Sequence, residues 1–272
     1  MLTNPRADRV REVQALSRRS VRSRSGRFLV EGPQAVRELL RYAAPTAREV
    51  YATQDAGLRY ADILAAADAA GVPVYPVSVP VLAALGDTET PQGLLAVAQQ
   101  PVTDLAGVLA EDGRSGGAEP GPRLLVLLDE IRDPGNLGTV IRAADAAGAD
   151  AVLVSKNSVD AFSPKVVRST AGSLFHLPVV TGLDAQACVR ELAAHGIRTY
   201  ATEGEARTTV QDLDLLGRHC WVFGTEAHGL PDALAAQCSA RVSVPIFGQA
   251  ESLNVAMAAT ICLYASAVAH RG

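Results

Sequence analysis

The pattern of apolar and polar positions divides the chain into short segments that alternate between strand and helix character. Within residues 26–100, the predicted strands are RFLVEG, EVYAT, VPVYPV and GLLAVAQ. PQAVRELLRYA places Pro33 at the first position of a helix, and LRYADILAAADAAG predicts an amphipathic helix that ends at Gly71. This alternation predicts a small α/β layer domain.

A change in composition separates this region from the rest of the chain. Residues 111–122, EDGRSGGAEPGP, are rich in glycine and proline and almost lack apolar side chains, as expected of an exposed linker. We therefore predict one domain at 1–105, a linker at 106–122 and a second domain at 123–272.

The second domain begins with RLLVLLDE, a continuous apolar run typical of a strand buried on both faces of a parallel sheet. Helical segments then alternate with the predicted strands DAVLVS, LPVV, RTYAT, CWVFG and RVSVPI, and SLNVAMAATICLYASAVAHR predicts a long final helix. This order indicates an α/β fold with a mainly parallel sheet and a ligand site at the carboxyl ends of the strands.

Composition restricts the class of protein. The 272 residues are 48% hydrophobic and 20% charged, which suits a globular protein of two ordinary domains. We find no membrane-spanning run and no signal peptide, so we expect a cytoplasmic protein that does not contact a membrane. The four cysteines match no zinc or thioredoxin spacing, and we predict no metal site.

The first 30 residues carry a strong local charge, although the whole chain has a net charge of −4. They hold eight arginines against two acidic residues, and such a basic arm suits a phosphate backbone. A solvated face on an N-terminal helix is the alternative. The arginines that we predict to bind RNA are Arg6, Arg18, Arg19, Arg22 and Arg24.

Three stretches that carry candidate chemistry each follow a predicted strand: 133–145, 223–231 and 244–256. In the first, DPGNLGTVIRAAD, Asn136 can cap a helix, and Arg142 leans back over Gly138 toward it. The helix N-terminus and the guanidinium then suit an anion or a polarised oxygen. The alternative is that Asn136 only caps the helix and Arg142 only pairs with Asp145.

The other two stretches add further polar side chains at the same predicted sheet edge. Glu226 lies in a glycine-flanked loop, where it can accept hydrogen bonds from an arginine or a ligand amine, or be a simple loop acid. Ser252 is expected to cap the last helix, with Asn254 in its first turn. That helix is apolar nearly all round, which suggests burial on every side, with a second subunit as one way to provide it.

Nucleotide-binding motifs do not explain the first stretch. GNLG gives only G-x-x-G instead of the dinucleotide fingerprint, and a Walker loop is also absent. An NAD-dependent enzyme is therefore disfavoured.

Taken in order, N-x-G-x-x-x-R, F-G-T-E-A-H-G-L and V-P-I-x-G-x-x-x-S-L-N-V-A resemble the three motifs of the SpoU branch of the SPOUT methyltransferases. These enzymes are RNA 2'-O-ribose methyltransferases with a knotted α/β domain. The N-terminal part, with RFLVEGPQAVRELL and TPQGLLAVAQQP, is similar to the L30-type substrate-binding domain that many members carry.

The resemblance implies a cofactor, an oligomeric state and a set of site residues. S-adenosylmethionine would bind in the knot, held mostly by backbone groups, and the enzyme would be a homodimer through the C-terminal domain, with sites built by both chains. Cofactor contacts would come from Thr202, Gly204, Gly224, Thr225, Val244, Ile246 and Leu253. The functional polar positions would be Asn136, Arg142, Glu226, Ser252 and Asn254.

The reaction that this family performs requires a weakly acidic ribose hydroxyl to attack a methyl group in line with the departing sulfur. Arg142 is expected to lie on that hydroxyl. A general-base role would need help from a phosphate or from Glu226, so positioning the hydroxyl and stabilising the developing alkoxide is the easier role.

We expect the substrate to be RNA because only RNA has the 2'-hydroxyl, and we favour 23S rRNA. Transfer RNA is the enzymatic alternative, and methylation for antibiotic resistance is a narrower version of the ribosomal hypothesis. A non-catalytic RNA-binding or ribosome-assembly protein of the same fold is the alternative from another class.

Overall fold

The computed structural model describes residues 1–110, 121–225 and 229–271, and it contains alternating strands and helices. The strands are β1 (Arg27–Glu31), β2 (Ala47–Ala52), β3 (Val74–Pro76), β4 (Leu94–Gln99), β5 (Leu124–Leu128), β6 (Ala151–Ser155), β7 (Val179–Leu183), β8 (Arg198–Thr202), β9 (Thr208–Thr209), β10 (His219–Phe223) and β11 (Ala240–Ser243).

Twelve α-helices lie in the described residues, and short 3₁₀ turns follow some of them. The helices are α1 (Asp8–Gln14), α2 (Arg19–Ser25), α3 (Pro33–Tyr42), α4 (Gln54–Arg59), α5 (Ala61–Ala69), α6 (Val79–Leu85), α7 (Leu105–Ala110), α8 (Pro134–Ala147), α9 (Pro164–Ser169), α10 (Ala185–Ala194), α11 (Asp232–Ala235) and α12 (Val255–Arg271). None of these helices, in the part of the chain that is described, has the length and apolarity needed to cross a bilayer.

The chain forms two compact units. The first consists of residues 1–102 and 160–176, and the second consists of the described parts of 103–159 and 177–271. Along the chain, residues 160–176 fall inside the region predicted as the second domain, yet they pack with the first unit: the Phe162 ring lies 5.0 Å from that of Phe28. Residues 105–110, at the start of the predicted linker, form α7, whereas residues 111–120 lie outside the described residues.

The first unit contains a four-stranded sheet in the order β1-β4-β2-β3. β4 runs antiparallel to β1 and β2, with Leu29 opposite Val97, and β3 pairs parallel with β2. Val10, Val13 and Leu16 of the N-terminal arm are buried in the same core cluster. The arginine-rich arm is therefore packed against the first unit through its apolar side chains.

The second unit contains a seven-stranded parallel sheet in the order β7-β6-β5-β10-β8-β11-β9. Every residue of β5, β6 and β10 is buried, which is why these strands read as continuous apolar runs. The α/β class and the mainly parallel sheet predicted from the sequence are confirmed. β10 follows β8 along the chain but lies between β5 and β8 in the sheet.

Several element boundaries differ from the prediction. The helix predicted for 58–71 is split at Tyr60 into α4 and α5, because α4 ends there and α5 starts afresh at Ala61. The helix expected near SPKVVRSTAGSLF ends at Ser169, and Ala171 and Gly172 then take positive φ angles of 51° and 103°. A left-handed residue ends a helix because its carbonyl no longer continues the ladder.

Candidate active site

Three loops converge at the carboxyl edge of the parallel sheet, after β5, β10 and β11. The Asp129 N–H donates to the Phe223 carbonyl at 2.8 Å, which joins the first loop to the end of β10. The Asn254 amide donates from Nδ2 to Oδ1 of Asn136 at 3.0 Å, which joins the first loop to the third. Because all the strands run parallel, their carboxyl ends share one edge, as the sequence predicted.

The first loop is set by the start of α8. Asp133 caps the helix, because its Oδ1 accepts the Asn136 N–H at 2.8 Å, and Pro134 occupies the first helical position. The prediction that Asn136 caps this helix was therefore wrong. The Asn136 side chain instead accepts the hydrogen bond from Asn254.

The third loop ends at the start of α12, two residues later than predicted. Asn254 caps this helix, since its Oδ1 accepts the Ala256 N–H at 2.9 Å and the Met257 N–H at 3.4 Å. Ser252 is therefore not the cap: it lies in the loop before the helix and lines a cavity. Both residue types are good caps, so local preference did not distinguish the two positions.

A cavity of about 260 Å³ opens between the strand-end loops of the second unit. Its walls come from the loops after β8, β10 and β11 and from the first turn of α12. All seven residues predicted to contact a cofactor line it. The lining consists of Thr202, Glu203, Gly204, Phe223, Gly224, Thr225, Gly229, Val242, Val244, Ile246, Ser252, Leu253, Val255 and Ala258.

One wall of the cavity requires a glycine at position 224. A β-carbon there would overlap the Gly229 carbonyl and the Leu230 nitrogen. Thr225 and Gly229 exchange two backbone hydrogen bonds of 3.1 and 2.9 Å. The predicted site residue Glu226 lies outside the described residues.

Sequence reasoning missed Glu203, which also lines the cavity. Arg241 holds its carboxylate at 3.0 Å, and the same guanidinium lies 3.3 Å from Asp232. Thr202 is fixed beside it, because its hydroxyl donates to the Val222 carbonyl at 3.0 Å. The signal that could have found Glu203 is its place directly after β8, since residues after parallel strands face the ligand edge.

Arg142 does not line the cavity of its own chain. It is exposed on α8, and no hydrogen bond or ion pair of its guanidinium occurs within residues 1–110, 121–225 and 229–271. In particular, the alternative pairing with Asp145 is not formed in that part of the chain.

The basic arm divides into exposed and buried arginines. Arg22 is 3% exposed, lies 2.6 Å from Asp160, and donates to the carbonyls of Leu16 and Ser17. The prediction that Arg22 binds RNA was wrong, because its guanidinium is buried and bound within the first unit. The other predicted RNA-binding arginines, Arg6, Arg18, Arg19 and Arg24, are exposed.

A further cavity of about 270 Å³ lies within the first unit, remote in the chain from the motifs. The buried carboxylate of Glu31 forms part of its wall, accepting the N–H groups of Asp87 and Thr88 at 3.1 and 3.2 Å. Arg168 completes this arrangement with a 2.8 Å ion pair to Glu31.

The residues that the structure describes indicate neither a metal site nor a reactive thiol at Cys188 or Cys262. There, no three His, Cys, Asp or Glu side chains come together as a metal site would require. Burial raises the pKa of Cys188 and of Cys262 to about 12, so these thiols stay protonated and unreactive at neutral pH.

The fold and the site define a two-unit α/β protein with a small-molecule cavity at the carboxyl edge of its parallel sheet. Residues 123–264 match the model of the SpoU rRNA methylase family, and residues 7–96 match that of the MRM3-like substrate binding domain. The chain belongs to the SpoU rRNA methylase family.

Individual relatives align with nearly the whole length of this chain. The chain is 34% identical over 256 residues to the 23S rRNA (guanosine(2553)-2'-O)-methyltransferase RlmP of Bacillus subtilis, covering 94% of each protein. It is 32% identical to the 23S rRNA (uridine(2479)-2'-O)-methyltransferase of Streptomyces viridochromogenes, over 92% of this chain and 85% of that protein.

Solved structures show the same architecture. The AdoMet-bound rRNA methyltransferase from Sinorhizobium meliloti superposes with a TM-score of 0.84 and 28% identity, covering 97% of this chain and 96% of that one. The family, the α/β architecture and the resemblance seen in the motifs are therefore confirmed.

Proposed function

We propose that this protein is an S-adenosylmethionine-dependent RNA 2'-O-ribose methyltransferase that acts on 23S rRNA. The observation that carries the proposal is the cavity between the loops after β8, β10 and β11, whose lining includes all seven residues predicted for the cofactor. The first motif loop is joined to the third by the Asn136–Asn254 hydrogen bond. The relatives named above methylate 23S rRNA at a ribose, which favours ribosomal RNA over the transfer RNA alternative.

The cavity fits the cofactor chemically. Phe223, Val242 and Ile246 offer apolar walls for the adenine ring, and the space beside Gly204 is open, which leaves backbone groups accessible. Its volume of about 260 Å³ lies near the lower end, roughly 300 Å³, of small-ligand sites. When bound, S-adenosylmethionine supplies an electrophilic methyl group on a positively charged sulfur.

The residues of this chain would prepare the RNA hydroxyl for that methyl group. We assign Arg142 to the 2'-oxygen, where a fixed guanidinium positions the hydroxyl and stabilises the negative charge that develops during attack. The hydroxyl proton leaves to an RNA phosphate or to Glu226. The Asn136–Asn254 hydrogen bond holds the two helix starts that frame the site.

The exposed side of α12 supports a homodimer through the C-terminal domain. Its large apolar side chains are 41–70% exposed and recur every three or four positions, on one face of the helix. They are Met257, Ile261, Tyr264 and Val268. A second copy covering this face would bury the stripe, and an exposed Arg142 could then complete the partner's site.

We assign RNA capture to the first unit, with Arg18, Arg19 and Arg24 as contacts to phosphates. Deleting residues 1–105 is a poor test, because residues 160–176 pack with that unit and would lose their core. A triple alanine variant of the three exposed arginines should weaken RNA binding. It should also reduce the slope of log K for RNA binding against the logarithm of the salt concentration by about 2. If the affinity for RNA and its salt dependence were both unchanged, the three arginines would not be RNA contacts.

The deciding experiment is methyl transfer from radiolabelled S-adenosylmethionine to 23S rRNA and, separately, to tRNA, both isolated from a strain lacking the gene. We expect labelling of 23S rRNA and a mapped 2'-O-methyl ribose. Arg142→Ala should lose at least about 100-fold in rate while binding the cofactor normally, and the exposed Arg190→Ala on α10 serves as the matched control. Labelling of tRNA alone would overturn the substrate assignment, and cofactor binding with no transfer to any RNA would favour a non-catalytic RNA-binding protein.

A further inference from the structure

One large aromatic side chain lies open beside the candidate active site. Phe247 is 93% exposed, while Phe28, Phe162 and Phe223 are buried at 1–5%. A ring so open gains almost nothing from packing within its own chain, so folding does not account for an aromatic residue there.

The position of Phe247 along the loop places it at the rim of the cavity. Ile246, directly before it, and Ser252, five residues later, both line the cavity wall. The loop between them is therefore attached to the rim at both ends. Gly248 follows the ring, and a β-carbon there would meet only open space, so the backbone next to the ring is uncrowded.

The chemistry of this loop suits a base better than a phosphate. Residues 247–251, FGQAE, contain one carboxylate, Glu251, and no basic residue, so the loop would not attract the RNA backbone. Aromatic faces are the groups on which proteins stack unpaired bases. The base is attached to the same ribose that must present its 2'-hydroxyl at the mouth of the cavity.

We infer that Phe247 is a stacking platform for an unpaired base of the RNA substrate, either the target nucleotide or its immediate neighbour. This inference rests on the proposed function and adds a positioning residue to it. Stacking would fix the plane of the base and so the orientation of the ribose, without selecting which base is present, because every base has an aromatic face.

The loop that carries Phe247 leads into α12, whose exposed face bears the apolar stripe. Phe247 could therefore belong to a subunit interface instead of an RNA site. The stripe residues of the helix are 41–70% exposed, since neighbouring side chains cover part of each, whereas Phe247 is 93% exposed in the loop before the helix. We therefore favour RNA as its partner and make the oligomeric state a measured outcome.

The test compares Phe247→Ala, Phe247→Leu and Phe247→Trp with the wild type on 23S rRNA from a strain lacking the gene. The Leu variant keeps an apolar side chain but removes the π-face, and the Trp variant restores it. Leu216→Ala, also exposed and placed before β10 at the opposite sheet edge, is the matched control.

We expect kcat/KM for RNA to fall about 5- to 150-fold in the Ala and Leu variants and to return to near wild type with Trp. The dissociation constant of S-adenosylmethionine, measured by calorimetry, and the mass in solution should stay unchanged. A weakened cofactor affinity would place the ring on the cofactor, and dissociation of a dimer would place it in a subunit interface; either result overturns the inference.

Failure of the inference is distinguishable from failure of the proposed function. Wild-type protein that methylates RNA, with all three variants equally active, would overturn the stacking role alone. Wild-type protein that binds S-adenosylmethionine but transfers no methyl group to RNA would overturn the proposed function, and the stacking role with it.

Discussion

The Asn254 side chain has two roles: it caps α12, and it donates a hydrogen bond to the first loop. Different substitutions at this position can separate the two roles. Its Oδ1 accepts the Ala256 N–H at 2.9 Å, and its Nδ2 donates to Asn136 at 3.0 Å. Loss of a cap costs about 0.5–2 kcal/mol, and loss of the exposed hydrogen bond to Asn136 costs about 0.5–1.5 kcal/mol. Asn254→Ala should therefore lose about 1–3 kcal/mol of unfolding free energy.

Asn254→Ser isolates the second task, because serine caps a helix but is too short to keep the amide link to Asn136. We expect Asn254→Ala to lower Tm by about 2–10 °C and Asn254→Ser to lower it by much less. Both should lower kcat/KM for methyl transfer by about 10- to 100-fold, since a small displacement at a reacting site is costly.

Thermal denaturation and steady-state methyl transfer measure the two effects separately. Asp184→Ala is the matched control, because Asp184 caps α10 by accepting the Ala187 N–H at 3.0 Å in the same unit. It should lower Tm while leaving kcat/KM near wild type. An Asn254→Ser variant with full activity would refute the role of the link, and an Asn254→Ala variant with unchanged Tm would refute the capping argument.

Three other substitutions test further parts of the structure. Gly224→Ala should weaken S-adenosylmethionine binding at least about 10-fold in calorimetry, because its β-carbon would overlap the Gly229 carbonyl; normal affinity would show that the loop can move aside at little cost. Burial lowers the pKa of His219 from 6.5 to about 4, so the unfolded chain binds its proton first as pH falls, and up to about 3 kcal/mol of stability present above pH 6.5 is lost by pH 4. Urea denaturation at several pH values should show a shallower acid dependence for His219→Gln, and identical dependence would contradict this assignment. Arg22→Ala should destabilise the first unit by about 3–5 kcal/mol, because it leaves the Asp160 carboxylate unpaired, whereas Arg19→Ala on the surface should not; equal Tm values for the two variants would refute this difference.

Local sequence was sufficient to predict strands and helix starts where these depend on neighbouring residues in the chain. The apolar runs of β5 and of residues 220–223 in β10 could be read directly, because both faces of each strand are buried and no polar side chain interrupts either run. The same holds for Pro33 at the start of α3. The cap of α12 was misplaced by two residues, since Ser252 and Asn254 are both competent caps and only the path of the loop selects between them.

Residues that depend on distant partners could not be assigned in this way. Arg22 looks like any other arginine of the basic arm, and its burial depends on Asp160, which is 138 positions away. Residues 160–176 lie within the sequence of the methylase family match yet pack with the first unit, because the Phe162 ring finds Phe28 there. Such contacts follow from side-chain packing between remote segments, which periodicity does not report.

The amino-acid sequence by itself determined the α/β class, the parallel sheet and the three loops that carry the chemistry, because buried strands and motif residues are written in local patterns. Tertiary structure decided that β10 lies between β5 and β8, that the loops after β8, β10 and β11 line one cavity, and that Asn254 reaches Asn136. The physical reason is that strand order and pocket shape depend on how the whole unit buries its apolar surface. That burial involves all the packed elements together, so no single segment of the sequence specifies it.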